Sequence, residues 1–227
     1  MAKVKLVVFD VDGTLVDSLA RISQAMVSSF DQHGLAVPSN DDIRSIIGLS
    51  LPQAMENLLP EQDQDVYELL TETYKEFFVA SVSDQHKTES PLFPGVHRLL
   101  DELLEDERIV LGIATGKSRR GLSRILEFYN LSGYFSTAHV ADDHPSKPHP
   151  SMLYAAMKDT GIAPENCVIV GDTSFDMDMG KAAGFKTIGV SWGYHSPEVI
   201  KPLSDIYVST PSDIKTAVTK IWMPSCD

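Results

Sequence analysis

The sequence predicts an α/β fold, a Rossmann-like doubly wound parallel sheet with a helical cap domain inserted after its first strand. Three patterns indicate this fold: apolar runs without alternation, helical periods between them, and one long interval that holds helical periods only. A chain of 227 residues, 43% of them hydrophobic, is long enough to bury a core of this kind. Strands that alternate with helices usually form parallel sheets with helices on both faces.

Short runs rich in β-branched residues mark the strands. Their lack of alternation is typical of strands that are buried on both faces. The strong runs lie at residues 6–9, 109–114, 167–170 and 187–190, and weaker runs lie at 138–141 and 206–208. We therefore expect a parallel sheet of these strands, beginning almost at the N-terminus.

Helical periods fill most intervals between these strands. Their apolar residues recur every three or four positions, as on the buried face of an amphipathic helix. The residues with this spacing are Val96, Leu99, Leu100, Leu103 and Leu104; Leu122, Ile125, Leu126 and Tyr129; and Ile214, Ala217, Val218 and Ile221. These segments predict helices that cover the faces of the sheet.

The interval between the first two strong runs is different, because it contains helical periods and no convincing strand. The four periods begin at Leu19, Ile43, Leu51 and Val66. We predict a helical cap over residues 17–90, inserted into a catalytic α/β core of residues 1–16 and 91–227. The polar segment 83–91 ends in proline and is predicted to be the return link between them.

Composition and charge exclude several classes of function. The 19 Lys and Arg residues against 32 Asp and Glu residues give a net charge of -13, which would repel a nucleic-acid backbone. The first apolar run is too short for a signal peptide or a membrane span, and two cysteines indicate no disulfide framework. We expect a cytoplasmic protein without nucleic-acid or membrane partners. The sequence leaves open whether it is a monomer or a homodimer.

Two aspartates follow the first strand directly. Asp10 and Asp12 lie where ligands bind in open α/β sheets, at the carboxyl end of a strand. Carboxylates this close repel each other, so both stay ionised only beside a cation, and otherwise one pKa rises. Gly13 permits close backbone approach and allows amide groups to face an anion. Taken alone, the segment is equally compatible with a solvated turn.

Three other segments carry polar residues at predicted strand ends or helix starts. Thr115 and Gly116 precede a helix N-terminus, which is a ready anion site. Lys147 lies between two prolines just before a helix. Asp172 and Asp176 follow another strand, where helix N-capping by Asp172 or Ser174 is the alternative explanation. Four segments with an acid, a hydroxyl, a lysine and an acid together indicate one site at one edge of the sheet.

In this order the segments resemble the four motifs of the haloacid dehalogenase (HAD) superfamily, specifically its capped, phosphoglycolate-phosphatase-like group. Residues 10–18 resemble the first motif, Thr115 with Gly116 the second, Lys147 with Pro148 the third, and 172–176 the fourth. The resemblance covers nearly the whole chain. It implies an α/β core with a cap, in agreement with the strand and helix patterns.

The resemblance also implies a role for each acidic residue. Asp10 would be the nucleophile that becomes an aspartyl-phosphate, and Asp12 would be the general acid and base. The carboxylates of Asp10 and Asp172 and the backbone carbonyl of Asp12 would bind Mg²⁺, with Asp176 acting through water. Such oxygen ligands are those that Mg²⁺ prefers.

The phosphate and substrate contacts are implied in the same way. Thr115, Lys147 and nearby amides, among them those of Gly13 and Gly116, would hold the phosphoryl oxygens. Residues 47–50 resemble the loop of the cap that sets substrate specificity. Candidate substrate contacts in the cap are therefore Gly48, Ser50 and Arg44 or Arg21, although a solvated helix face explains either arginine as well.

Asp12 favours one reaction over others within this superfamily. Dehalogenases lack this second aspartate because a halide leaving group needs no proton, so its presence favours phosphoryl transfer from an oxygen ester. We expect Mg²⁺-dependent hydrolysis of a small phosphorylated metabolite, a phosphate monoester such as phosphoglycolate. The alternatives are a sugar phosphomutase of the β-phosphoglucomutase type, a pyrophosphatase, and a non-catalytic phospho-acceptor switch.

Overall fold

Six strands form one parallel sheet in the computed structural model, which describes residues 4–83 and 89–222, without the side chains of residues 82 and 83. The strands are β1 (Lys5–Phe9), β2 (Ile109–Thr115), β3 (Thr137–Val140), β4 (Cys167–Gly171), β5 (Lys186–Val190) and β6 (Ile206–Val208). Their order across the sheet is β3-β2-β1-β4-β5-β6, and all neighbours are parallel. The predicted fold class is confirmed, including both weak strands.

The register of the central strands aligns the segments that carry the motifs. Phe9 at the end of β1 pairs with Ile113 of β2 and with Val170 of β4. The chain therefore leaves all three strands at the same edge of the sheet. Because the strand order reverses at β1, this edge is also where an open α/β sheet forms its ligand crevice.

Four helices lie between β1 and β2. They are α1 (Leu19–Gln32), α2 (Asn40–Ile46), α3 (Leu51–Leu58) and α4 (Gln64–Ser83). They pack around a hydrophobic cluster that includes Met26, Ile43, Met55 and Leu70 and is separate from the clusters on the sheet. A core of its own is what an inserted cap requires, and we call this helical unit the cap. Its limits at residues 17–90 stay a prediction, and residues 84–88 of the return link lie outside the described residues.

The remaining helices cover both faces of the sheet. They are α5 (Val96–Leu104), α6 (Arg119–Phe128), α7 (Ser151–Thr160), α8 (Ser174–Ala183), α9 (Pro197–Ile200) and α10 (Pro211–Ile221). Side chains of α5, α6 and α10 pack with Val7 and Phe9 of β1, whereas those of α7 and α8 pack with Leu6 and Val8. Alternate residues of β1 thus face opposite layers. Among the described helices, none is long and apolar enough to cross a membrane.

Candidate active site

Three carboxylates and one ammonium group meet at this edge of the sheet, where solvent hardly reaches them. Asp10, Asp172 and Asp176 each offer an oxygen within 4.8 Å of the others. Lys147 Nζ lies 2.7 Å from Asp10 Oδ1 and 2.7 Å from Asp176 Oδ1, and its side chain is 0% exposed. The structure therefore brings together residues of three predicted motifs. The resulting cluster has three carboxyl groups and one ammonium group, so negative charge is in excess.

Burial changes the proton affinity of these groups. It raises the pKa of Asp10 to about 7, against the lowering effect of the Lys147 charge. Burial, and then the charge of Asp10, also raises the pKa of Asp172 well above its ordinary value. Burial acts to lower the pKa of Lys147, but the charges of Asp10 and Asp176 outweigh it and raise that pKa. A cation beside Asp10 and Asp172 would relieve this excess of buried negative charge.

Asp10 and Asp172 are well suited to bind such a cation. Asp10 Oδ2 is buried and has no hydrogen-bond partner among the described residues. Asp172 is fixed in place, because the Thr14 hydroxyl donates to its Oδ1 at 2.8 Å and the Tyr194 N–H donates to its Oδ2 at 2.8 Å. An orphaned buried oxygen next to a second oriented carboxylate fits a divalent ion with oxygen ligands, such as Mg²⁺.

Asp176 has a different set of contacts. Its Oδ1 accepts a hydrogen bond from Lys147 Nζ at 2.7 Å, and its Oδ2 accepts from the Thr173 hydroxyl at 2.7 Å. Thr173 and Asp176 form the capping box of α8, so the N-cap is Thr173 and not Asp172 or Ser174, the two residues that the sequence offered for this role. With both oxygens engaged, Asp176 is suited to position Lys147 and to reach a metal through water.

Asp12 lies beside this cluster and outside it, held by residues to which the sequence assigned no role. The Ser18 hydroxyl donates to Asp12 Oδ1 at 2.5 Å, and Lys117 Nζ lies 2.9 Å from the same oxygen. The hydroxyl of Tyr194 accepts from the Ser18 N–H at 2.8 Å. In the sequence, only the positions of these residues could have indicated a role at the site. Ser18 ends the first motif, and Lys117 and Tyr194 shortly follow strand ends.

Gly13 does not supply the expected anion-facing amide. Its N–H donates to the carbonyl of Val16 at 2.9 Å, within the turn that follows β1. Its φ is +88°, and a Cβ at this position would lie 2.2 Å from Asp172 Oδ2. The glycine is therefore needed because the turn passes so close to Asp172, and it does not line the cavity described next.

A cavity of about 360 Å³ lies between the cap and the carboxyl edge of the sheet. The core contributes Asp10, Asp12, Thr115, Gly116 and Lys117 to its wall. The cap contributes mostly apolar side chains, together with the hydroxyl groups of Ser50, Thr71 and Tyr74 and the ammonium group of Lys75. The cap residues in the wall include Ile22, Met26, Ile46, Ile47, Leu49, Leu51, Pro52, Ala54, Thr71, Tyr74, Phe78 and Val79.

The predicted specificity loop of the cap touches the core directly. Gly48 and Ser50 line the cavity. A Cβ at Gly116 would lie 2.6 Å from the carbonyl oxygens of Gly48 and Leu49, so the close approach requires glycine there. The Ser50 N–H donates to the Ser146 hydroxyl at 2.8 Å. The cap thus contacts the segments that follow β2 and β3.

The two arginines suggested for a substrate carboxylate are placed elsewhere. Arg44 is exposed on α2 and is not part of the cavity wall, because α2 turns Ile43 and Ile46 inward. Arg21 pairs with Glu89 at 3.1 Å, and Glu89 also pairs with Arg124 of α6. The structure therefore does not bring Arg44 to the site, and it uses Arg21 to connect the cap to the core.

Comparison with known proteins identifies the family. Residues 7–190 match the family model of haloacid dehalogenase-like hydrolases. A protein of Dickeya dadantii named "Probable phosphatase IndB" is 35% identical, over 92% of this chain and 91% of its own. The phosphoglycolate phosphatase of Aquifex aeolicus is 30% identical, over 92% of this chain and 94% of its own.

Solved structures agree with the sequence comparison. A haloacid dehalogenase-like hydrolase from Streptococcus pneumoniae superposes with a TM-score of 0.81 at 25% identity, covering 96% of this chain and 99% of that one. The superposition includes both the sheet and the cap, since it covers nearly all of both chains. The resemblance inferred from the four motifs is thereby confirmed. The chain belongs to the haloacid dehalogenase-like hydrolase family.

Proposed function

We propose that the protein is a Mg²⁺-dependent phosphatase that hydrolyses a small-molecule phosphate monoester through a phosphorylated Asp10. One observation carries this proposal: Asp10 and Asp12 line the same cavity, but only Asp10 belongs to the buried acidic cluster. Two neighbouring carboxylates in different surroundings are suited to different roles, one as nucleophile and one as acid and base. The phosphatases among its relatives support the same reaction.

In the first step, an Asp10 oxygen forms a bond to phosphorus while the bond between phosphorus and the leaving alcohol oxygen breaks. Asp12 donates a proton to that oxygen as it leaves. Lys117 and Ser18 both contact Asp12 Oδ1, so they hold the carboxyl group beside the cavity and leave its second oxygen for proton transfer. Fixed geometry of this kind removes part of the entropy cost of the reaction.

In the second step, Asp12 takes a proton from a water molecule, whose oxygen then attacks phosphorus. The bond to Asp10 breaks, inorganic phosphate leaves, and both carboxyl groups return to their starting states. The closed cap limits the water that reaches the cavity, because its loop 47–50 lies against Gly116 and Ser146. Asp12 therefore serves as acid and then as base, with a single proton passing through it.

Positive charge has to stabilise the phosphoryl group in both steps. Asp10 and Asp172 would hold Mg²⁺, with the Asp12 carbonyl and a water on Asp176 as further ligands. When bound, the ion would neutralise charge on the phosphoryl oxygens. Lys147 and Thr115 would contact these oxygens as well. In a protein of net charge -13, this local positive charge is what attracts an anionic substrate.

Steady-state phosphate release tests the proposal. The substrates are phosphoglycolate, pyrophosphate, nucleoside monophosphates and sugar phosphates, each with and without Mg²⁺, and Asp10→Asn is the control variant. We expect the wild type to turn over at least one monoester only with Mg²⁺, and the variant to turn over none. Release without Mg²⁺, or equal release by the variant, would contradict the proposal.

The same panel separates the alternative functions. Preferred cleavage of pyrophosphate would indicate a pyrophosphatase, conversion of a sugar 1-phosphate into the 6-phosphate would indicate a mutase, and one phosphorylation without turnover would indicate a switch. We also propose that the enzyme acts on a free metabolite in the cytoplasm, since its charge disfavours nucleic acid and its two cysteines suit a reducing compartment.

A further inference from the structure

The aromatic ring of Phe78 lies among three cations at the junction between the cap and the core. Phe78 belongs to α4 of the cap and lines the cavity. Its ring centroid lies 5.5 Å from Lys117 Nζ, 5.9 Å from the guanidinium carbon of Arg124 and 6.0 Å from that of Arg21. Each distance is within the range of a cation–π contact. Because Lys117 and Arg124 belong to the core, the ring connects the two units.

The cap sets the position of this ring. Phe78 stacks on Tyr74, one turn earlier in α4, with 5.8 Å between the ring centroids and 23° between the ring planes. Tyr74 is buried in the hydrophobic cluster of the cap, and Phe78 packs against the same cluster. A movement of the cap relative to the core would therefore carry the ring away from Lys117.

The three cations have different anionic partners. Glu89, whose side chain is only 4% exposed, pairs with both Arg21 and Arg124 and so joins α1 of the cap to α6 of the core. Lys117 Nζ instead lies 2.9 Å from Asp12 Oδ1, and the two side chains are 7% and 12% exposed. Of the three cations, Lys117 is thus the one that connects the ring with the carboxyl group proposed as acid and base.

Lys117 is held at several points along its side chain. A lysine has a flexible four-carbon stem, so a single contact at its end does not fix the ammonium group. The stem passes close to α6, since a Cβ at Gly121 would lie 3.0 Å from Lys117 Cγ. At its end, Asp12 and the Phe78 ring both contact the ammonium group. The ring is the one of these contacts that the cap supplies.

The cap has to move during turnover. Asp10 and Asp12 are only 1% and 9% exposed, so a phosphate ester reaches them, and phosphate leaves them, through movement of the wall above. When the ring moves away, water replaces it beside Lys117. Water also weakens the attraction between Lys117 and Asp12, because it raises the local dielectric constant.

We infer that Phe78 is a positioning residue that couples closure of the cap to the orientation of Asp12 by restraining Lys117. The inference rests on the proposed phosphatase function, in which Asp12 is the acid and base, and it names a cap residue on which Asp12 depends. With the cap closed, the ring holds Lys117 Nζ beside Asp12 Oδ1. With the cap open, this restraint is lost, so proton transfer by Asp12 is favoured only in the closed state.

A double-mutant cycle tests the coupling. Phe78→Leu keeps an apolar side chain and removes the ring, and we expect it to lower kcat for the best-turned-over ester by about three- to tenfold. In the Lys117→Met background, the same substitution should lower kcat by less than about twofold, because both residues act through one contact. An equal fall in both backgrounds would overturn the inference, since Phe78 would then act independently of Lys117.

Two further variants separate the ring from packing as such. Phe77→Leu makes the same change at the neighbouring half-buried position of α4, which packs in the cap and is not among the described residues of the cavity wall. Its kcat should equal that of the wild type. Phe78→Tyr keeps an aromatic ring and should retain about half of the wild-type kcat or more. A loss in Phe77→Leu as large as in Phe78→Leu, or no recovery in Phe78→Tyr, would overturn the inference.

Chemical labelling of Lys117 tests the contact without turnover. Each protein is treated briefly with acetic anhydride, digested and analysed by mass spectrometry, with Lys186, whose side chain is 54% exposed, as the internal reference. Relative to Lys186, Lys117 should be acetylated about threefold faster or more in Phe78→Leu than in the wild type or in Phe77→Leu.

The labelling result distinguishes the inference from the proposed function. Equal acetylation of Lys117 in all three proteins would overturn the inference, even if the enzyme hydrolyses phosphate esters. Faster acetylation in Phe78→Leu alone would support the restraint of Lys117 by the ring. If the wild type then turned over none of the esters, that failure would count against the proposed function only.

Discussion

The acidic cluster of the core and the cap wall of the cavity differ in how their polar groups are hydrogen-bonded. On the core side, Asp172, Asp176 and Lys147 are each held by two or more named partners. On the cap side, the wall is mostly apolar, and the buried Thr71 hydroxyl oxygen has no hydrogen-bond partner among the described residues. A buried charge without a partner costs more free energy than a buried neutral hydroxyl without one. Asp10 is the exception in the core, because its Oδ2 has no hydrogen-bond partner among the described residues. The difference supports our proposal that the core holds the phosphoryl group and the cap contacts the rest of the substrate.

Removing the nucleophile is the most severe way to test the core side. Asp10→Asn should lower kcat by about four orders of magnitude or more, because the acceptor of the phosphoryl group is lost. Phosphate release and circular dichroism measure activity and fold. We expect the variant to fold as well as the wild type, since the substitution removes a buried carboxylate whose pKa burial raises to about 7. A kcat within tenfold of the wild type would show that Asp10 is not the acceptor.

Removing the buried ammonium tests whether the core charges depend on one another. Lys147→Met leaves Asp10 and Asp176 without their shared partner, and should lower the free energy of unfolding by about 3–5 kcal/mol. Lys186→Met is the matched control, because Lys186 pairs with Asp205 at the surface with a side chain 54% exposed. Its expected cost is below about 1 kcal/mol. Urea denaturation measures both, and equal costs would contradict the account of Lys147 as a structural counter-charge.

Adding the cation tests whether the excess of negative charge marks a metal site. Mg²⁺ should raise Tm, and at a hundred times its Kd it should stabilise the protein by about 2.7 kcal/mol. Asp172→Asn should abolish most of the rise because it removes a ligand. Asp178→Asn is the control on the same segment, since Asp178 is exposed on α8 and outside the cluster. Thermal melts with Mg²⁺ and with a chelator give the result, and an identical rise in all three proteins would argue against this site.

Removing the contact between Lys117 and Asp12 tests how far the positioning of Asp12 matters, and we expect a smaller effect than that of removing the nucleophile. Lys117→Met should lower kcat by about ten- to a hundredfold with little change in KM, because Asp12 loses a contact that holds it beside the cavity. Lys117→Arg, which keeps the charge, should recover part of kcat. A purely structural role would instead lower Tm in the Met variant without a selective loss of kcat. Steady-state kinetics and thermal melts on the same samples distinguish these cases.

The sequence predicts the sheet and the core site well because both depend on strand ends. Runs without alternation identify β1, β2 and β4, and parallel strands necessarily bring Asp10, Thr115 and Asp172 to one edge. Contacts between side chains far apart in the chain are not visible in this way. The hydrogen bond from the Ser18 N–H to the Tyr194 hydroxyl and the ion pair of Lys117 with Asp12 therefore appear only in the folded protein.

The cap shows where prediction from sequence is weaker. The helical period of α2 places Ile43 and Ile46 on the buried face, and Arg44 lies on the solvated face that the sequence analysis gave as the alternative to a substrate contact. The unpaired state of the Thr71 hydroxyl could not be predicted, because it depends on which groups of α1 and α3 come near it. For Gly13, the predicted close approach is present, since a Cβ there would lie 2.2 Å from Asp172 Oδ2, but its N–H donates to the Val16 carbonyl within the turn and does not face an anion.

Phosphorylation of Asp10 during turnover is the most direct test of the division between core and cap. The enzyme is mixed with a turned-over phosphate ester and Mg²⁺, quenched in acid within one turnover, digested, and analysed by mass spectrometry. We predict the mass of one added phosphoryl group on the peptide that contains Asp10. We predict no added mass in Asp10→Asn, and none in Asp12→Asn when no substrate is supplied. Turnover without any phosphorylated peptide, or with the group on another residue, would contradict the central claim that the core transfers phosphate through Asp10.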